Sequence, residues 1–163
     1  MKKIHIVTDS TADLTEEEIL KYGIHVVPLT IQIDNDSYID GVDLKPAEFI
    51  GLMKNANELP KSSQPAAGVF KELYERLAED GSEILSIHMT GGMSGTVRSA
   101  ETAAEMAKAD VTVIDSMFIS HALTFQVLEA AKMAANGKSM EEIVTRIEQV
   151  RKQTTLFVVV DKL

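Results

Sequence analysis

Short apolar segments alternate with stretches of helical periodicity along the whole chain, and this alternation limits the folds that the chain can adopt. Five segments have the length and composition of strands: Lys3–Thr8, His25–Ile33, Glu83–Met89, Val111–Ile114 and Leu156–Val160. Strands that are separated by helices usually run parallel, because each connection crosses back over the sheet. Helices then cover the sheet on both sides. The sequence therefore predicts an α/β fold with a mostly parallel sheet and helices on both faces.

The helical stretches have recognisable starts and stops. Six are predicted: Thr15–Tyr22, Pro46–Lys54, Ala66–Glu79, Gly95–Ala107, Ile119–Asn136 and Ser139–Lys152. In the first, Thr15 and Glu18 have the spacing of a capping box, and Gly23 is a typical helix stop. The polar run at 34–37 predicts a turn that sends residues 38–39 back as a short hairpin.

Composition and charge exclude several classes of protein. The 163 residues carry 16 Lys and Arg against 25 Asp and Glu, and they lack the clustered cations that nucleic acid binding requires. There is no cysteine, and the four histidines are too scattered to predict a metal site. No apolar stretch has the length of a membrane span or the pattern of a secretory signal. We therefore expect a cytoplasmic protein with no nucleic acid partner, metal, cofactor or membrane span.

The segment Thr90-Gly91-Gly92-Met93-Ser94-Gly95-Thr96 follows an apolar strand and opens a predicted helix. The N–H groups at a helix start have no partner within the helix, and glycine lets a ligand approach the backbone closely. Ser94 adds a hydroxyl that can donate to an anion. The turn therefore predicts a site for a carboxylate or a phosphate.

Hydroxyl residues occur at three further places beside predicted strands or helices. The resulting candidate site residues are Thr8, Asp9, Ser10, Ser62, Ser63, Ser94, Gly95, Thr96, Asp115 and Ser116. Ligands of open parallel sheets bind outside the carboxyl ends of the strands. Hydroxyls and amides can bind an anion without a formal positive charge, which suits reversible carriage of a weak acid. Taken alone, each segment could also serve only as a helix cap or a turn.

The chain contains four motifs in a fixed order: Thr8-Asp9-Ser10-Thr11-Ala12-Asp13-Leu14, Ser62-Ser63-Gln64-Pro65, Ser94-Gly95-Thr96 with Ser99-Ala100, and Val113-Ile114-Asp115-Ser116. In the order and spacing of these motifs, the chain resembles the DegV family of bacterial fatty-acid-binding proteins. The resemblance implies a lipid-binding carrier rather than an enzyme. Such a carrier binds a long-chain fatty acid, such as hexadecanoate, and presents it to a fatty acid kinase for acyl phosphate formation. It further implies that Ser62 and Ser94 hold the carboxylate, with the other candidate residues supporting the pocket.

The resemblance extends over the whole chain, with some departures. Ser62 stands where the family usually has Thr, and Val97 stands where it has an aromatic residue. The segment 120–124 lacks two glycines that usually follow the Asp-Ser motif. Because the family continues into a second domain, we expect residues 1–155 to form the fatty-acid-binding N-terminal domain. We expect residues 156–163 to begin the crossover to a second domain that this chain lacks.

Two other functions stay open on the residues alone. The chain could be a small-molecule phosphotransferase or hydrolase that uses the Ser94 turn as an anion or oxyanion site. Asp9 or Asp115 would then be the acid–base group. It could also be a purely structural α/β domain whose hydroxyls only cap helices. The feature that separates an enzyme from a carrier is an activating group, since no His or Lys is assured near Ser94.

Overall fold

The structure, a computed structural model, describes residues 2–160. In chain order its elements are β1 (Ile4–Asp9), α1 (Glu16–Tyr22), β2 (His25–Val27), β3 (Thr30–Ile33), β4 (Asp36–Ile39), α2 (Pro46–Asn55), β5 (Lys61–Ser63), α3 (Ala67–Leu77), β6 (Glu83–His88), α4 (Thr96–Met106), β7 (Asp110–Asp115), α5 (Ser120–Ala135) and α6 (Met140–Gln153). None of the helices in this range combines the length and apolar character needed to cross a membrane.

Four strands form a parallel sheet in the order β2-β1-β6-β7. Alternating side chains divide the core into two layers, one on each face of this sheet. Ile6 and Leu85 pack towards α5 and α6, while Val7 and Ile84 pack towards α3 and α4. The predicted α/β fold, with a mostly parallel sheet covered on both faces, is confirmed.

The prediction of one strand over His25–Ile33 is wrong. The segment contains β2, which joins the parallel sheet, and β3, which belongs to a second, antiparallel sheet of order β4-β3-β5. Pro28 lies between them and has no N–H to continue a ladder, so the pairing changes at this point. The predicted hairpin is confirmed as the β3–β4 pair, whereas β5 was not predicted.

Side-chain capping delimits α1 as the sequence predicts. Thr15 Oγ1 accepts a hydrogen bond from Glu18 N at 3.1 Å, and Glu18 Oε2 accepts one from Thr15 N at 2.9 Å. Gly23 ends the helix with a φ of 60°, a conformation that glycine adopts without steric cost. The predicted capping box and helix stop are therefore confirmed.

The predicted strand Leu156–Val160 is also wrong. The segment pairs with no strand in the described part of the chain, and Phe157 and Val159 are 88% and 96% exposed. An apolar run becomes a strand only where a neighbouring strand satisfies its backbone N–H and C=O groups. Residues 161–163 of the predicted crossover lie outside the described residues. The domain boundary after residue 155 stays a prediction.

Two histidines on neighbouring strands predict a pH-dependent stability. His5 and His25 are half-buried, with ring centroids 5.4 Å apart. Burial lowers the pKa of both rings from the ordinary value of 6.5, and the charge of Lys3 lowers both further. Below pH 6.5 the unfolded chain therefore binds protons that the folded chain resists, and stability falls with falling pH.

We expect the midpoint of urea unfolding to be lower at about pH 5 than at about pH 7. In the double variant His5→Asn, His25→Asn, the difference between the two midpoints should be smaller than in the wild type. An unchanged difference in this variant would assign the pH dependence to other groups.

Candidate functional site

The carboxyl ends of β1, β6 and β7 lie side by side, as expected for neighbouring parallel strands. Met89 N donates to the Asp9 carboxylate at 2.9 Å, which ties the end of β6 to that of β1. Thr90 N donates to Phe118 O at 2.9 Å, which ties the segment after β6 to the one after β7. We call the segments 8–11, 90–96 and 115–118 together the strand-end corner.

Residues 90–96 form a turn that opens α4. Ser94 Oγ accepts a hydrogen bond from Thr96 N at 3.2 Å and lies 2.9 Å from Thr96 Oγ1. Ser94 thus lies one residue before the N-cap Gly95, and its hydroxyl accepts from the first N–H of the helix. The N–H groups of that turn and the positive end of the helix dipole favour an anion here. Ser94 is half-buried, so part of the residue is open to solvent at the start of α4.

Gln64 connects the second serine motif to this turn. The Ser62–Pro65 segment begins in β5, which pairs with β3 of the small sheet. A Cβ atom on Gly95 would lie 2.5 Å from Gln64 Nε2 and 2.6 Å from Gln64 Oε1. The Gln64 carboxamide therefore fills space that is open only because residue 95 is glycine. Ser62 and Ser94 lie on two segments in direct contact.

Asp115 and Ser116 hold the backbone of the strand-end corner. The Asp115 carboxylate accepts from Met117 N at 2.8 Å and from Gly91 N at 3.1 Å. Ser116 is buried, and its hydroxyl donates to Phe118 O at 3.1 Å. Met117 has a φ of 64°, which non-glycine residues rarely adopt. These side-chain bonds support the strained loop.

Thr8, Asp9 and Ser10 lie at the base of the strand-end corner. Thr8 and Asp9 are fully buried, and within residues 2–160 the Thr8 hydroxyl has no hydrogen-bond partner. Ser10 Oγ accepts from Leu29 N at 2.9 Å, which fastens the end of β1 to the link between β2 and β3. Ser10 and Asp9 thus hold backbone in place, and neither Thr8 nor Asp9 is exposed to solvent.

A row of four buried polar side chains, which the sequence did not predict, ends at Asp9. Tyr74 OH lies 2.7 Å from Ser86 Oγ, and Ser86 Oγ lies 2.6 Å from His88 Nε2. His88 Nδ1 lies 3.0 Å from Asp9 Oδ2. Although burial opposes ionisation of Asp9, hydrogen bonds from His88 and two neighbouring residues hold its pKa below the ordinary value. Burial raises the pKa of Tyr74 to about 12.

Ser86, His88 and Asp9 have the mutual contacts of a catalytic triad but no access for a substrate. All three are fully buried. Ser86 Oγ is bonded to the Tyr74 hydroxyl, and the Phe70 ring lies edge-on to His88 with centroids 5.0 Å apart. The only sequence signal for the row is the spacing of Ser86 and His88, which places both on one face of β6.

Among residues 2–160, a cleft beside α1 adjoins the strand-end corner only at Ser10. Within residues 2–160, no three His, Asp or Glu side chains are grouped so that they could hold a metal ion. A cleft of about 450 Å³ lies between α1 and the loop after β4. Of the candidate site residues, only Ser10 lines this cleft.

Comparison with known proteins identifies the family of the chain. The family model described as "Uncharacterised protein, DegV family" matches residues 3–163. A DegV domain-containing protein of Streptococcus pneumoniae serotype 4 is 46% identical over 163 residues, covering 100% of this chain and 58% of the relative. One from Listeria monocytogenes serovar 1/2a is 48% identical over 161 residues, covering 98% and 58%. The chain belongs to the DegV family, and it spans 58% of the length of these relatives.

Solved structures show the same fold. DegV of Bacillus subtilis, described as a fatty acid binding protein, has a TM-score of 0.89 and 36% identity, covering 93% of this chain and 55% of the other. A DegV family protein of Thermus thermophilus, described by its fatty acid binding, has a TM-score of 0.86 and 33% identity, covering 92% and 54%. Both are described by what they bind and not as enzymes. The resemblance seen in the motifs is therefore confirmed at the level of family and fold.

Proposed function

We propose that this chain binds a long-chain fatty acid by its carboxylate, with Ser62 and Ser94 as the direct hydrogen-bond donors. The observation that carries the proposal is the contact between Gln64 and Gly95, which brings the two serine motifs together. The start of α4 adds backbone N–H groups and the positive end of a helix dipole. The fatty acid binding described for the relatives from Bacillus subtilis and Thermus thermophilus supports the choice of ligand.

The supporting residues hold the backbone around the proposed carboxylate site in place. Asp115 and Ser116 fix the turn and the loop after β7, and Ser10 fixes the end of β1. Thr96 and Gly95 begin α4 at the position where the anion would lie. A rigid set of donors costs little reorganisation when the ligand binds.

The same proposal includes a role as a carrier in the cytoplasm. The bound acid would be presented to a fatty acid kinase, which would form the acyl phosphate. The hydrolase alternative finds less support, because Ser86, His88 and Asp9 are fully buried and Ser86 Oγ is bonded to the Tyr74 hydroxyl. In this proposal the chain supplies binding, and its partner supplies phosphoryl transfer.

Hexadecanoate and its methyl ester test the carboxylate site. The chain, freed of lipid, is titrated with each ligand, and equilibrium binding is measured. A hydrogen bond to a charged group contributes about 1.5–3 kcal/mol, so we expect the acid to bind at least about tenfold more tightly than the ester. Equal affinities would reject Ser62 and Ser94 as carboxylate donors, and no binding of either ligand would reject the proposed function.

A kinase assay tests the carrier role separately. The loaded chain is added to a fatty acid kinase with ATP, and acyl phosphate is measured. Formation that depends on the chain supports presentation of the ligand. If free hexadecanoate without the chain gives the same amount of acyl phosphate, the carrier role is rejected.

The variant Gly95→Ala is expected to weaken hexadecanoate binding about tenfold by displacing the Gln64 carboxamide. Gly95 has a φ of −76°, so alanine fits the backbone, and the three atoms nearest to the new Cβ all belong to the Gln64 side chain. Because that side chain can rotate away, the free energy of unfolding should change by less than about 1 kcal/mol. Gly68→Ala is the matched control, since a Cβ there meets no atom within 4 Å. Unchanged affinity in Gly95→Ala would mean that the position of the Gln64 carboxamide does not matter for hexadecanoate binding.

A further inference from the structure

The row Tyr74–Ser86–His88–Asp9 has one consistent arrangement of its hydrogen atoms. The Asp9 carboxylate accepts from Met89 N at 2.9 Å and from Thr11 N at 2.9 Å. An ionised carboxylate has only acceptors, so His88 Nδ1 must carry the proton that it shares with Asp9 Oδ2.

The positions of the hydrogen atoms at the other end of the row then follow. With the proton on Nδ1, a neutral imidazole accepts at Nε2, where Ser86 Oγ donates to it at 2.6 Å. The Tyr74 hydroxyl donates to Ser86 Oγ at 2.7 Å, so every donor in the row has an acceptor. An imidazolium would instead donate from Nε2 to Ser86 Oγ, and either the Ser86 or the Tyr74 hydroxyl would then have no acceptor among the described residues.

Asp9 is the point at which this row reaches the strand-end corner. Its Oδ1 also accepts from Thr11 Oγ1 at 2.6 Å, and its Oδ2 is shared between His88 and Met89 N. Thr11 belongs to the loop after β1, and Met89 immediately precedes the turn that carries Ser94. The orientation of one buried carboxylate therefore fixes the starts of both loops.

We propose that His88 is a positioning residue for the carboxylate site: its Nδ1–H orients Asp9, and Ser86 and Tyr74 hold the ring in that tautomer. The role for ligand affinity rests on the proposed function. The role in ordering the loops does not rest on the proposed function, because it concerns the Thr11 and Met89 amides in the protein without ligand. His88 itself is fully buried and acts only through Asp9.

Two amide variants separate the two ends of the ring. In His88→Asn the amide nitrogen is attached to Cγ, as Nδ1 is, so it can still donate to Asp9. In His88→Gln the amide nitrogen is one bond further out, like Nε2, so it reaches towards Ser86 instead. If His88 merely filled space, His88→Gln would resemble the wild type more closely than His88→Asn, because the volume of Gln is nearer to that of His.

The experiment measures amide hydrogen exchange at Thr11 and Met89 and equilibrium binding of hexadecanoate in the full chain. In His88→Asn we expect the exchange rates and the hexadecanoate affinity to stay within about threefold of the wild-type values. In His88→Gln we expect exchange to be at least about tenfold faster and binding at least about tenfold weaker. The nitrogen resonances of His88 in the wild type should show a neutral ring with the proton on Nδ1.

The outcomes are distinguishable from those of the proposed function. If the wild type binds no hexadecanoate, the proposed function fails, while exchange and the His88 resonances still test the positioning role. Equal exchange in the two variants, or a proton on Nε2 of the wild-type ring, would overturn the positioning role. Should either variant fail to fold, the wild-type resonances alone decide.

Discussion

Replacing Asp9 with alanine is expected to lower the free energy of unfolding by about 3–5 kcal/mol. The change leaves His88 Nδ1–H and Met89 N–H buried without an acceptor, and each such group costs about 1–3 kcal/mol. It also removes two bonds to Thr11. Since a domain of this size is stable by only about 5–15 kcal/mol, the loss is a large fraction of the total. Urea unfolding followed by circular dichroism measures it.

Asp80→Ala is the matched control for this substitution. Asp80 makes the same local bonds, to the N–H and hydroxyl of Ser82, two residues further on. It is exposed, however, and within residues 2–160 its side chain bonds only to Ser82. We expect a loss below about 1 kcal/mol. Similar losses in the two variants would mean that Asp9 stabilises only its own turn and that the contacts with His88 and Met89 contribute little.

Replacing Ser94 with aspartate is expected to abolish measurable hexadecanoate binding, a loss of at least about a hundredfold, while leaving stability intact. Asp can accept the bond from Thr96 N in the same short turn as Ser, and a negative charge is favourable at a helix start, so the first turn of α4 is retained. The lost hydroxyl costs about 1.5–3 kcal/mol of binding, and the new negative charge repels the carboxylate in addition. Equilibrium binding and thermal unfolding are measured on the same samples.

Two further variants complete this test. Ser94→Thr keeps the hydroxyl and should bind within about threefold of the wild type. Thr102→Ala removes a hydroxyl from the exposed face of α4, away from the turn, and should leave affinity unchanged. Tight binding by Ser94→Asp would place the carboxylate elsewhere and leave Ser94 only its hydrogen bond at the start of α4.

Much of the fold could be predicted because its signals are local. Strand and helix periods alternate through the chain, and the Thr15–Glu18 box and Gly23 mark their own helix. Pairing partners are not local. Lys61–Ser63 becomes β5 because it lies beside β3, and its polar sequence gives no sign of this. Leu156–Val160 has the composition of a strand but no partner strand in residues 2–160.

The candidate site divides in the same way. The serine motifs could be picked from their residue types, and the parallel sheet explains why three of the segments meet at one edge. The contact of Gln64 with Gly95 and the row from Tyr74 to Asp9 join residues that are distant in sequence. His88 could be expected on a strand, but its partners depend on which strand lies next to β6. These contacts had to come from the structure.

The most direct test of the central proposal is a crystal structure of this chain with hexadecanoate. We expect the ligand carboxylate at the start of α4, with its oxygens within hydrogen-bond distance, about 2.5–3.0 Å, of Ser94 Oγ and Ser62 Oγ. Asp9 and His88 should keep their mutual contact beneath it. A carboxylate bound elsewhere, for example in the cleft beside α1, or one that contacts neither serine, would show that Ser62 and Ser94 do not form the carboxylate site.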